Sequence, residues 1–111
     1  MSVATKVAVQ MNTKLGGEPW AVKIPLKDTK VIGYDTYHDS AQKGRSVGAV
    51  VASMNATFTK YMSVANIHTN PAQELNDNMC PAIAKALRKY SEVNGNPPTR
   101  IIMYRYKLSY F

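Results

Sequence analysis

Two carboxylates in this chain have the setting that divalent-cation chemistry needs. Asp35 closes an apolar run, Val31-Ile32-Gly33-Tyr34, which reads as a buried strand, so its side chain falls at the strand's C-terminal tip. Glu74 falls in the first turn of a long helix that opens at Asn70-Pro71. Mg²⁺ prefers oxygen ligands, and nucleases use such carboxylates to hold metals on the attacking and leaving oxygens. Each acid also has a plainer role open to it. Asp35 can cap the loop after its strand, and Glu74 can simply favour the positive end of a helix.

Other reactive types are scattered. His38 and Asp39 follow Asp35 closely and could serve as ligand or base, or as solvated loop residues. His68 has no partner visible in the sequence. Cys80, beside Pro81, reads as a small buried residue rather than a nucleophile. Lys6, Gln10 and Lys14 recur every four residues, which on a helix makes one polar strip. Such a strip can be a phosphate contact or an ordinary solvated face.

The elements that position these residues follow from periodicity. Over residues 2–15, Val3, Val7, Met11 and Leu15 form an apolar stripe, with Ser2 as N-cap and Gly16-Gly17 as the stop, so a helix is expected. Residues 20–24 read as a short extended strand closed by Pro25, and Lys27-Asp28-Thr29-Lys30 as a polar turn. A buried strand over 31–35 leads into a polar loop over 36–45. Residues 46–54 are small and apolar on both faces, which suggests a central strand covered on both sides. A hairpin through Asn55-Ala56-Thr57 returns as an antiparallel strand over 58–67.

The helix after Asn70-Pro71 shows an apolar face of Leu75, Met79, Ala82, Ile83, Ala86, Leu87 and Tyr90. Pro81 predicts a kink or break near residues 78–80. A fourth strand over 100–104 should return parallel to the first. The order is helix, short strand, then β-β-β-α-β. It predicts an α/β domain with a mixed sheet, the first half of a ribonuclease-H-like fold.

Composition bounds the rest. The chain has 111 residues, 45% of them hydrophobic, so a packed core is expected and outright disorder is not. Fourteen Lys and Arg against seven Asp and Glu give a formal charge of +7, which points to phosphate-bearing partners. The single Cys excludes an internal disulfide, and no Cys/His cluster offers a zinc site. A reduced intracellular compartment, cytoplasmic or nuclear, is expected. The longest apolar stretch, around residues 47–52, is far short of the ~20 needed to span a bilayer.

Several segments together resemble the Piwi branch of the Argonaute family. They are residues 5–20, from Thr5-Lys6-Val7 through Gly16-Gly17-Glu18-Pro19-Trp20, and the element Gly33-Tyr34-Asp35-Thr36-Tyr37-His38-Asp39. Arg45-Ser46-Val47-Gly48, Gln73-Glu74 and Pro98-Thr99-Arg100-Ile101 add to them. The resemblance implies a small guide RNA paired with target RNA, chiefly transposon transcripts, and a Mg²⁺-dependent Asp-Glu-Asp-His cleavage site. It assigns Asp35 to the first Asp and metal ligand, and Glu74 to the Glu. It assigns Gln10 and Lys14 to the pocket for the guide's 5′ phosphate. It also implies a division into the end of the phosphate-binding Mid region (1–30), the N-terminal half of the Piwi domain (31–105) and a divergent tail (106–111).

Two departures bear on activity. The family pattern continues after Tyr104-Arg105 with Asp-Gly, whereas this chain has Tyr106-Lys107, and a phenol is a poor Mg²⁺ ligand near neutral pH. The family's distant His has no counterpart. The expectation is therefore an RNA-binding piece of a Piwi protein that does not cleave by itself and holds Mg²⁺ weakly. The alternatives are a guide-directed endoribonuclease, if the natural continuation carries Asp at 106, and a non-catalytic module that meets protein partners through an exposed sheet edge.

Overall fold

The computed structural model describes residues 1–38, 40–42, 44–68 and 79–105. Helix α1 spans Val3–Lys14. Ser2, in extended conformation, caps it by accepting from the Thr5 amide at 3.2 Å, as its position in the sequence predicts. At the other end Gly16 takes φ +91°, and the amides of Leu15, Gly16 and Gly17 donate back to the carbonyls of Met11, Thr13 and Asn12. No residue of α1 is buried. Its apolar stripe, from Val3 to Leu15, faces solvent.

The short strand expected over residues 20–24 is absent, and that stretch is an unpaired connector with Trp20 exposed. The expected polar turn is corrected too. Thr29 and Lys30 are fully buried and belong to strand β1, Thr29–His38. The strand therefore runs three residues past Asp35. Thr36, Tyr37 and His38 stay extended because they pair with Gly48, Val47 and Ser46.

Strand β2 (Ser46–Ser53) pairs antiparallel with β1 and with β3 (Tyr61–His68). The hairpin is antiparallel as expected, but β3 starts at Tyr61 rather than 58, because the turn takes in Phe58, whose φ is +56° and whose amide donates to the Asn55 carbonyl. Strand β4 (Arg100–Arg105) lies parallel to β1, so the sheet order is β3-β2-β1-β4. Helix α2 (Met79–Asn94) covers one face. Pro81 is the third described residue of α2. The expected helix start, Gln73 and Glu74 lie outside the described residues, and the expected kink falls at their edge.

The core lies between α2 and one sheet face. Ile32, Tyr34, Val50 and Ala52 meet Ala82 and Ala86, with Met62, Val64, Met79 and Ile83 packed around them. A fully buried aliphatic side chain such as Ile32 contributes about 1.5–3 kcal/mol. Among the described residues the opposite face has no layer over it, so there β2 is covered by α2 on one side only. Val51 is 40% exposed there, against 0% for its neighbour Ala52.

Lys30 pins three elements at one end of the core. Its ammonium donates to the Ser53 carbonyl at 2.8 Å and sits 4.9 Å from the centroid of the Tyr90 ring. Ser53 Oγ accepts from the Val31 amide, and Asn94 Nδ2 donates to the carbonyls of Met54 and Tyr90. Burial lowers the Lys30 pKa below the usual 10.5. Because the folded state holds this proton less tightly than the unfolded chain, stability should rise with pH between the lowered value and 10.5. Lys30→Met, which keeps the stem and deletes the charge, should remove that slope at a cost below about 1.5 kcal/mol. Lys30→Ala should cost about 2–4 kcal/mol. Denaturant melts of the three proteins at pH 8 and pH 10 measure both effects.

Candidate functional site

Strand alternation decides where Asp35 stands. Lys30, Ile32 and Tyr34 point toward α2, so Gly33, Asp35 and Tyr37 occupy the opposite, open face. The seventh of ten strand residues, Asp35 is therefore not at the tip but three positions before it. Its neighbour across β2 is Ala49, and Ala49 pairs in turn with Ala65. These small side chains leave the carboxylate standing clear of the sheet. One oxygen, Oδ1, accepts from the Thr36 amide at 2.8 Å.

An open depression of about 450 Å³ lies at this position, lined by Gly33, Asp35, Ala49, Val51, Tyr104 and Arg105, with Tyr34 at its margin. The last described pair of the parallel register of β1 and β4 is Tyr34 with Arg105, next to Asp35 in β1. Tyr106, the departure from the family pattern, lies outside the described residues, as does Glu74. The described part of the site is thus one carboxylate, one guanidinium and an apolar floor. Asp35 offers a hard oxygen of the kind Mg²⁺ takes, but a single monodentate carboxylate leaves most of an octahedral shell to other donors. Among the described residues no group of three His, Cys, Asp or Glu could hold a metal ion.

The other reactive residues are sorted by the same alternation. His38 is the last residue of β1, not a loop residue, and lies on the α2 side, away from Asp35. His68 is buried at the end of β3. It approaches Tyr34 over Gly48: a Cβ at Gly48 would meet His68 Nε2 at 3.0 Å and the Tyr34 hydroxyl at 3.1 Å. Thr36 donates to that hydroxyl at 3.1 Å. Cys80 is exposed, against the expected burial, and Asp39 lies outside the described residues.

Gln10 and Lys14, with Lys6, are exposed on α1. No described contact brings this strip to Asp35, so the two candidate regions are separate surfaces. The strand expected over 100–104 includes Tyr104 and stops short of Arg105, whereas the observed strand takes in both, and neither residue is expected at the site. Their register against Gly33 and Tyr34 is what puts them there, and only the pairing reveals it.

Comparison with known proteins adds to this geometry. Residues 1–107 match the family model described as the Piwi domain. The chain is 50% identical over 105 residues to Piwi-like protein Siwi of Bombyx mori, and 45% identical over 105 residues to Piwi-like protein 1 of Danio rerio. Each alignment takes in 95% of this chain and 12% of the relative, so the chain spans about an eighth of their length. Among solved structures, Drosophila Piwi superposes with a TM-score of 0.72 at 38% identity, over 95% of this chain and 14% of that one. Kluyveromyces polysporus Argonaute, crystallised with a guide RNA, superposes with a TM-score of 0.76 at 25% identity, over 95% of this chain and 13% of the other. These neighbours carry the ribonuclease-H-like fold that the element order predicts.

The two faces should answer differently to substitution. Asp35→Asn keeps the Thr36 contact on an exposed surface and should change folding stability by less than about 0.5 kcal/mol. Gly48→Ala, a few ångströms away but on the packed face, should cost about 1–3 kcal/mol by crowding Tyr34 and His68. Thermal melts of both variants provide the comparison, and equal losses would contradict the assignment of faces.

Proposed function

The chain belongs to the Piwi-domain family, and from that premise we propose that it is an RNA-contacting piece of a Piwi protein acting in small-RNA-guided silencing. The parent pathway on this reading is silencing of transposon transcripts by a guide RNA paired with its target. The observation that carries the proposal is Asp35, presented from the open face of a Piwi-type sheet beside Tyr104 and Arg105. The formal charge of +7 supports it, because a polyanion is the natural partner of such a surface.

Within this reading α1 and the connector belong to the Mid region, residues 31–105 to the first half of the Piwi domain, and residues 106–111 to a divergent tail. Lys14 meets the guide's 5′ phosphate as a point charge and Gln10 as an amide donor. Asp35 and Glu74 are the first two members of the cleavage site, with Mg²⁺ as the cation they would share. Hydrolysis in line needs the full clamp on attacking and leaving oxygens. With Tyr106 in place of the third carboxylate, this chain binds RNA and does not cut it. Guide and target RNA are the partners, and the β3 and β4 edges are surfaces on which protein partners could add.

Binding to a 5′-phosphorylated oligoribonucleotide should weaken steeply as salt rises. Lys14→Ala should lower the slope of log K against log salt by about 1. Fluorescence anisotropy across a salt series measures it, and a flat response would exclude RNA as the partner. Incubation with Mg²⁺ should leave the RNA intact. Cleavage that disappears in Asp35→Ala would instead establish the slicer reading.

A further inference from the structure

Among the described residues of this chain, no side chain of helix α1 is buried, and its apolar stripe is exposed. Among the described residues, every hydrogen bond and ion pair from residues 1–26 to the rest of the chain converges on one side chain, Glu18. Thr59 Oγ donates to Glu18 Oε2 at 2.6 Å, Asn55 Nδ2 reaches the same oxygen at 3.4 Å, and Lys60 Nζ lies 3.0 Å from Oε1.

The receiving side is organised in advance. In the β2–β3 turn, Asn55 Oδ1 accepts from the amides of Thr59 and Lys60, both at 3.0 Å. Asn55 Nδ2 donates to Thr59 Oγ at 2.6 Å and to Thr57 Oγ at 2.8 Å. Thr59 thus accepts from Asn55 and donates to Glu18, a polarised chain in which each bond strengthens the next. The Thr59 hydroxyl, followed by the Lys60 ammonium, holds the Glu18 carboxyl below its usual 4.5, so it is charged near neutral pH.

The delivering side is short and hydrogen-bonded. Gly17 donates to the Asn12 carbonyl at 2.9 Å, closing the end of the helix. Gly16, at φ +91°, fixes the preceding bend. Only these two constrained glycines and Leu15 separate Lys14 from Glu18, so restraining Glu18 restrains the end of the helix.

We propose that Glu18 is a positioning residue, a clasp on the β2–β3 turn that sets the orientation of α1, and with it the Gln10/Lys14 strip, relative to the sheet that carries Asp35. The clasp is a property of the folded chain alone and does not rest on RNA binding.

Nitroxide labels at Ala4→Cys and Ser63→Cys, in the full chain with Cys80→Ser, report the α1–sheet distance by pulsed dipolar spectroscopy without RNA. The native clasp should give one narrow distribution. Glu18→Ala should broaden it at least twofold while the amide spectrum of β1 and β2 stays unchanged. Lys60→Met should broaden it as well, which keeps the test open if the first variant misfolds. Glu18→Gln, which keeps an oxygen to accept from Thr59 but loses the charge, should broaden it less than Glu18→Ala. A distribution that is already broad in the native chain overturns the proposal. So does one that stays narrow in both Glu18→Ala and Lys60→Met. Because no RNA is present, loss of RNA binding in a separate assay would count against the proposed function and leave the clasp standing.

Discussion

The period of two along β1 is the constraint on which the rest depends. Ile32 and Tyr34 enter the core, so Gly33 and Asp35 must face the other way. A slip of one residue would bring Asp35 under α2 with no cation to meet it, and would return Ile32 to water. The first change costs several kcal/mol and the second about 1.5–3. The burial that builds the sheet is therefore the same force that presents the carboxylate. Two local devices hold the register at its ends. The Lys30 cage joins β1, β2 and α2 at one, and at the other Gly48 leaves space for Tyr34 and His68 to approach.

Charge is distributed with equal consequence. Lys30 contributes to the formal +7 but is fully buried, so it attracts nothing from solution. The cations that a polyanion can reach include Lys6 and Lys14 on α1, Lys85, Arg88 and Lys89 on the outer side of α2, and Arg105 beside the depression. Asp35 is the odd member. A phosphodiester brought to it meets like charge, so close approach needs a cation shared between the two anions or Arg105 as the neutralising group. Binding to the α1 strip has no such requirement. On the proposed function, that difference separates the strip that would hold RNA from the face that carries Asp35.

What the sequence made legible was local. The Ser2 cap, the Gly16 stop and the parallel return of β4 stand where they are expected, and the β2–β3 hairpin forms with its second strand starting three residues late. What it hid was set by partners distant in the chain. Thr29-Lys30 reads as a turn because both are polar, yet the Ser53 carbonyl and the Tyr90 ring make a place for the ammonium inside. Thr36 to His38 reads as a loop, yet β2 supplies pairing partners through Ser46. The two-sided apolarity of residues 46–54 suggests cover on both faces, while α2 covers only one. For the candidate site, the strand pattern singles out Asp35, but Arg105 and Tyr104 come beside it only through parallel pairing. Glu18 carried no signal at all, since its partners are about forty residues away.

The two halves of the molecule are consequently held by different physics. The sheet and α2 depend on buried apolar surface, which salt strengthens slightly and which heat unlocks cooperatively. The placement of α1 depends on a partly exposed carboxylate and an exposed ammonium, with side chains 29% and 57% accessible, and such pairs are screened by salt. Raising ionic strength therefore loosens the helix while leaving the sheet intact. It also weakens any phosphate contact made by Lys6 and Lys14. Part of the salt sensitivity of a polyanion bound to α1 then arises inside the protein, from the loss of a fixed orientation, rather than from the contacts themselves.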